Sequence, residues 1–228
     1  KKVFGHGFLT REGQKMGKSL GNILDPEILL TKYGSEAVRW YLLKDIALGN
    51  DGDFQNKRFV DIINNDLANT IGNLLNRSSS MSRKWFNNKT PNQEDKNNSK
   101  IKDYANKTID KYLAFFEKYK IDLASNEILK FAIFVNLYLN DNQPWTLIKD
   151  DKNIQDVKFI IYNVLESCRI IGLLLQPILP NLSCNILIQL GQFNNDNKSW
   201  KEKLNWGLLP LNYELPEPKP IISKLDYD

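Results

Sequence analysis

The stretch Phe59-Val60-Asp61-Ile62-Ile63-Asn64-Asn65-Asp66-Leu67-Ala68-Asn69-Thr70-Ile71-Gly72-Asn73-Leu74-Leu75-Asn76-Arg77 carries the fold class. Phe59, Ile62, Ile63, Leu67, Ile71, Leu74 and Leu75 recur three or four residues apart, which predicts one long amphipathic helix over roughly 55–86. Asn69, Asn73 and Arg77 fall four apart beside that apolar face. Each step of four advances about 40° around an α-helix, so the three project within roughly an 80° arc as a polar stripe. Asn brings donors and an acceptor, and Arg a planar fork of donors. Such a stripe is the wet face of a helix in most proteins and a base-reading face in some.

Downstream, the same periodicity predicts helices over 104–119, 126–139, 156–175 and 181–190. Residues 87–100, polar around Pro91, read as a solvent loop. Asp141-Asn142-Gln143-Pro144 is a turn, and Pro144 is suited to begin a short helix carrying Trp145. The stretch 191–228, with Trp200, Trp206 and several prolines, is too apolar for a free tail and is expected to wrap over earlier elements.

Upstream the pattern changes. Val3 to Leu9 suggests a short strand. Asp25-Pro26-Glu27 is a helix start, with Asp as N-cap and Pro at the first helical position. Gly34 closes that helix and Ser35 opens another, ended by the turn-rich Gly49-Asn50-Asp51-Gly52-Asp53. The sum is a mainly α protein: a bundle of about five helices preceded by a small α/β segment.

Composition narrows the classes. Hydrophobic residues make up 42% of 228, enough for a core, and the net charge of +4 is compatible with a nucleic-acid partner without demanding one. No run of apolar residues is long enough for a transmembrane helix, and the start has no signal-peptide character, so the chain reads as entered mid-domain. Cys168 and Cys184, with His6 as the lone histidine, cannot build a zinc knuckle. Both cysteines read as reduced core thiols, and His6 as a structural residue on the first strand.

Chemistry concentrates in Lys15-Met16-Gly17-Lys18-Ser19, framed by Gly13 and Gly21. Two cations on a glycine-rich loop suit a polyphosphate that gains charge as a bridging bond breaks. A cation that engages it best in the transition state lowers the barrier. Glycines let such a loop close and reopen. A bare Lys-x-x-Lys is equally a solvated surface pair. The flanks Gly7-Phe8-Leu9-Thr10 and Leu20-Gly21-Asn22-Ile23-Leu24-Asp25-Pro26 decide between these readings. Together the segment resembles the second signature loop of class I aminoacyl-tRNA synthetases, written KMSKS, with Gly17 where the strictest form has Ser. The resemblance implies ATP contacts from Lys15, Met16, Gly17, Lys18 and Ser19, with Lys15 and Lys18 acting in catalysis. The other signature of that class, His-x-Gly-His, is absent from the sequence.

Further blocks select within the class. Tyr33-Gly34-Ser35-Glu36-Ala37-Val38-Arg39-Trp40-Tyr41-Leu42-Leu43, Gly52-Asp53-Phe54, Asn65-Asp66-Leu67-Ala68-Asn69, Gly72-Asn73-Leu74, Asn76-Arg77 and Pro144-Trp145 together resemble the methionyl-tRNA synthetase family. That resemblance implies that 1–55 end a Rossmann-type catalytic domain with a stem-contact segment, and that 56–228 form a helical anticodon-binding domain. It implies recognition of the CAU anticodon of tRNA(Met), with Trp145 stacking on the first base, Asn73 and Arg77 reading edges, and Asn69 and Pro144 shaping the pocket. Unpaired bases are read in this manner, by stacking and edge hydrogen bonds. Implied partners are ATP with Mg2+ and methionine, in a monomeric cytoplasmic enzyme with no membrane contact and no metal site in this portion. The portion alone is expected to be inactive. Trp40, Trp85, Trp200 and Trp206 read as packing residues, and Lys57, Arg58, Arg83 and Lys84 as a phosphate-facing side. The same region of a cysteinyl-tRNA synthetase and a non-catalytic helical RNA-binding scaffold are the competing readings.

Overall fold

The computed structural model describes residues 3, 5–92, 100–192 and 198–227. A small sheet comes first. Strands β1 (Leu9–Arg11), β2 (Gln14–Lys15) and β3 (Gly52–Phe54) lie in the order β2-β1-β3, with β1 antiparallel to β2 and parallel to β3. The β1–β2 turn places Glu12 at φ 50° and Gly13 at φ 75°, the paired left-handed conformation that two-residue hairpins favour. The strand predicted over Val3 to Leu9 therefore starts later, and His6 lies outside it, exposed.

Between β2 and β3 run helices α1 (Pro26–Tyr33) and α2 (Ser35–Lys44). The Asp25 carboxylate accepts from the Glu27 amide at 2.8 Å, as an N-cap should. Gly34, at φ 79°, separates the helices, its N–H still donating to Leu30.

The predicted long helix is one rod in three pieces: α3 (Asn56–Ile62), a π-helical segment (Ile63–Gly72) and α4 (Asn73–Trp85). The Asn73 amide donates to the Ala68 carbonyl five residues back, the π pattern. Thr70 likewise donates its hydroxyl to the Asn65 carbonyl at 2.7 Å. Tertiary partners hold this wider turn. Asp66 accepts from the Trp40 indole at 3.0 Å and pairs with Lys44 at 3.3 Å. Asn136 donates to the Thr70 carbonyl at 3.1 Å. Asn64 bonds the backbone of Leu225 in both directions. The 40° step assumed for the polar stripe thus applies from Asn73 to Arg77 but not from Asn69 to Asn73.

The bundle is completed by α5 (Lys100–Glu117), α6 (Ile121–Asn142), α7 (Pro144–Leu147), α8 (Ile154–Leu175) and α9 (Pro180–Gln189). Buried residues surround α8 on every side from Ile160 to Leu175, as expected of a central helix rather than a surface one. It packs against α4, α5, α6 and α9. Helix α2 also joins the bundle: Trp40 is fully buried, Arg39 donates to the Ile178 carbonyl at 2.8 Å, and Glu36 accepts from the Leu182 amide at 2.9 Å. Tyr33, Tyr41, Phe54 and Phe59 form an aromatic cluster, with centroid spacings of 4.7–5.5 Å, that packs the sheet onto the start of the rod.

The C-terminal stretch wraps the bundle, as its apolar content required, and includes a short helix α10 (Trp200–Lys203). A wholly buried ion pair on α8 organises it. Glu166 and Arg169 meet at 2.6 Å. Glu166 accepts from the amides of Gly207, Leu208 and Leu209, while Arg169 donates to the carbonyls of Lys203 and Asn205. Neither charge lacks a partner, the condition under which a buried pair is tolerated.

Two sequence expectations need correction here. Residues 87–92 are not simply a solvent loop: Thr90 is buried, donating to the Pro210 carbonyl at 2.6 Å and accepting from the Tyr213 amide at 2.9 Å (residues 93–99 lie outside the described residues). Cys168 is a core thiol, but Cys184 is exposed, because it sits opposite the buried Leu182–Ile186 face of α9. Trp40, Trp85, Trp200 and Trp206 all pack in or against the core, as expected.

Candidate functional site

Two sites flank the rod: one beside its start at Asn56, the other beside Arg77 within α4, 21 residues along the chain.

The first is the lysine loop. Lys15 ends β2 and Lys18 opens a single 3-10 turn, Lys18–Leu20. Asn22 braces the loop from inside: its Oδ1 accepts from the Gly17 amide at 2.9 Å and its Nδ2 donates to the Lys15 carbonyl at 3.1 Å. Met16 is half-buried, its sulfur 3.4 Å from the Leu24 amide. Lys15, Lys18 and Ser19 are exposed. Among the described residues neither lysine forms an ion pair. Gly13 and Gly21 adopt positive φ, but Gly17 is extended at φ −154°, a conformation open to any residue. The loop thus presents two uncommitted cations over a braced backbone, which fits a polyphosphate. Among the described residues no group of three His, Cys, Asp or Glu side chains is placed to hold a metal ion.

The second site is where α4, α6 and α7 meet. Pro144, buried, begins α7 after Gln143 in the left-handed conformation, and this sharp entry presents Trp145 outward, 38% exposed. The Arg77 guanidinium lies over the Trp145 ring, 5.7 Å from its centroid, and donates to Asn140 Oδ1 at 3.0 Å. Asn73, one turn earlier on α4, is exposed, and Asn69 is half-buried in the π segment. Arg77 thus touches both Asn140 and Trp145. Asn140 was missed from sequence; as a polar residue four before Pro144 it carries no signal until α4 and α6 are packed together.

The proposed phosphate-facing residues fare differently. Lys57 pairs with Asp61 at 2.8 Å, Arg58 grips Asp45 through two bonds of 2.6 and 2.7 Å, and Arg83 donates to the Leu215 carbonyl. Three of the four are therefore engaged within the chain, and Lys84 remains exposed.

Two exposed lysines on a loop braced by Asn22, a small sheet and a helical bundle bearing a part-exposed Trp145 are what a portion of a class I aminoacyl-tRNA synthetase presents, and comparisons with known proteins agree. The family model described as "tRNA synthetases class I (M)" matches residues 1–79. The model for the "Anticodon binding domain of methionyl tRNA ligase" matches residues 89–225, and the chain belongs to that methionyl-tRNA ligase family. Methionine–tRNA ligase of Nostoc sp. is 40% identical across 99% of this chain, and that of Thermotoga maritima 38% across 99%. The chain spans only 44% and 36% of those relatives' lengths. Methionyl-tRNA synthetase of Mycobacterium tuberculosis superposes in its methionyl-adenylate complex with a TM-score of 0.85 at 33% identity, covering 95% of this chain and 43% of the other. Its apo form gives 0.87 at 29% identity, covering 99% and 44%.

Proposed function

We propose that this chain serves within a methionine–tRNA ligase, supplying the lysine loop to ATP and reading the CAU anticodon of tRNA(Met). The observation that carries the reading is the Arg77–Trp145 clamp beside an exposed Asn73. Trp145 offers a face on which an unpaired base stacks, and Asn73 and the free edge of the Arg77 fork reach base edges. Asn69 lines the approach and Pro144 fixes the turn that aims the ring. At the other site, Lys15 and Lys18 hold the phosphates of ATP, together with Met16, Gly17 and Ser19. They stabilise the charge that develops on pyrophosphate as methionine becomes its adenylate. Mg2+ accompanies ATP as part of the substrate. The division of labour is read at residues 55 and 56, where β3 gives way to α3: 1–55 close the catalytic domain and 56–228 read the anticodon. The enzyme is read as a cytoplasmic monomer.

The chain alone should not activate methionine, since the His-x-Gly-His motif that completes ATP binding in its class is absent from the sequence. The deciding experiment is binding of the chain to a tRNA(Met) anticodon stem-loop and to loops with one anticodon base changed. Preference for CAU, abolished by Trp145→Ala, supports the reading. Equal binding of all loops removes the reading of sequence by Trp145 and leaves only a general contact with RNA. No RNA binding at any salt concentration removes the anticodon role.

A further inference from the structure

Lys15, Thr10 and Asp53 occupy one level of the three-stranded sheet. Thr10 is the partner of Lys15 across the antiparallel β1–β2 ladder and of Asp53 across the parallel β1–β3 ladder. Residues directly opposite each other in neighbouring strands project from the same face. The Asp53 carboxylate therefore shares a face with the Lys15 side chain, one strand removed.

Both oxygens of that carboxylate are committed. Oδ1 accepts from the Thr10 hydroxyl at 2.7 Å and from the Gly13 amide at 2.8 Å, and Oδ2 accepts from the Gln55 side chain at 2.8 Å. Asp53 is itself fixed from behind, its carbonyl accepting from the buried Tyr41 hydroxyl at 2.9 Å. Two further bonds join the hairpin turn to the same segment. The Glu12 amide donates to the Phe54 carbonyl at 3.0 Å, and the Glu12 carboxylate accepts from the Asn56 amide at 3.0 Å. A two-residue strand such as β2 cannot hold its own place in water. The position of Lys15, two residues past Gly13, is accordingly inherited from residues 53–56.

We propose that Asp53 is a positioning residue for Lys15: its carboxylate, by fastening Thr10 and Gly13, sets where the lysine leaves the sheet to meet the ATP phosphates. Its donors, the Thr10 hydroxyl foremost, hold the carboxyl below the usual carboxylate range, so the fastening stays ionised at neutral pH. The proposal rests on the reading of Lys15 as an ATP contact. The geometric claim beneath it does not.

The test uses the full-length ligase that contains this chain, as wild type, Asp53→Ala, Asp53→Asn and Thr10→Val. Two quantities are read: amide hydrogen exchange over residues 9–16, and methionine-dependent ATP–pyrophosphate exchange resolved into kcat and the KM values for ATP and methionine. Asp53→Ala is expected to speed exchange in the hairpin while α4 and α8 keep their protection. It should lower kcat about tenfold or more, as small misplacements of a catalytic group do, with the KM for methionine unchanged. Asp53→Asn keeps an oxygen for Gly13 and Thr10 and should rescue most of both losses. Thr10→Val removes one of the three donors and should give an intermediate loss; it carries the test if Asp53→Ala does not fold. Unchanged hairpin exchange in both Asp53→Ala and Thr10→Val overturns the proposal. So does a loosened hairpin with full kcat, or an Asn variant as impaired as Ala. If the wild-type enzyme shows no pyrophosphate exchange, the functional reading fails separately while hydrogen exchange still decides whether Asp53 holds the hairpin.

Discussion

Arg77 lies over Trp145, its guanidinium carbon 5.7 Å from the ring centroid, while one of its nitrogens donates to Asn140 at 3.0 Å. The two residues are 68 positions apart in the chain and come from α4 and α7. The contact orients both without burying either, and on the proposed reading the indole and the remaining donors of the fork meet a nucleobase. Removing the ring should therefore cost binding far more than folding. Trp145→Ala is expected to weaken the anticodon stem-loop by about 1–3 kcal/mol, the range of one stacked base, with the thermal midpoint nearly unmoved. Titration and melting of the same preparation check both halves. A large loss of stability with unchanged affinity would make Trp145 a packing residue.

Arg77→Lys keeps the charge but not the fork, so it separates attraction from reading. A lysine ammonium cannot make the planar contact with the ring and the directed bond to Asn140 in the same way. Affinity for stem-loops in general should fall modestly, and the ratio between CAU and single-base variants should shrink. Competition binding at two salt concentrations measures this, since a purely electrostatic contribution weakens equally for all loops as salt rises.

Gly17 stands where the strictest form of the loop has serine, and the backbone there does not require glycine. A Cβ added at Gly17 meets Leu20 at 3.7 Å, an ordinary contact, and φ is −154°. Gly17→Ser should be tolerated within about 0.5 kcal/mol, as surface substitutions generally are. Equal denaturant midpoints for the two proteins are the expected result. A loss above that size would mean that the loop needs a conformation other than the one described.

The buried pair on α8 should be the most sensitive point of the C-terminal wrap. Glu166→Gln leaves the Arg169 charge buried without its partner, and breaking such pairs costs about 3–5 kcal/mol. Denaturant unfolding gives the global loss, and limited proteolysis between residues 199 and 215 should show that the wrap is released first.

The thiols differ in reach. Burial pushes the Cys168 thiol up to about 12 from its ordinary 9.0, whereas Cys184 is exposed. A thiol reagent at pH 8 should modify Cys184 quickly and Cys168 only after unfolding. The sign for stability follows from the raised value. The contribution of the neutral Cys168 thiol is complete below about 9 and is lost progressively as pH rises from there toward 12. Mass spectrometry of labelled native and denatured chains settles the first point.

Local patterns in the chain were enough for the helical class, the Asp25-Pro26 start, the Gly34 break and the Pro144 turn. Each depends on residues a few positions apart, and capping, turn chemistry and periodicity are short-range effects. The resemblance blocks added which residues to pair across the molecule, and Arg77 and Trp145 do meet. Other features had no local signal. The π segment over Ile63–Gly72 reads as ordinary α-helix because its wider turn is held by distant partners, Trp40, Asn136 and Leu225. The burial of Thr90, the exposure of Cys184 and the engagement of Arg58 by Asp45 likewise depend on what lies across the fold. Glu166 and Arg169 look like one more surface pair three residues apart on a helix until the C-terminal stretch closes over them. Periodicity can say that a face is apolar, but which polar groups lose water is decided by the elements that arrive from elsewhere in the chain, and desolvation sets what each of those groups must bond.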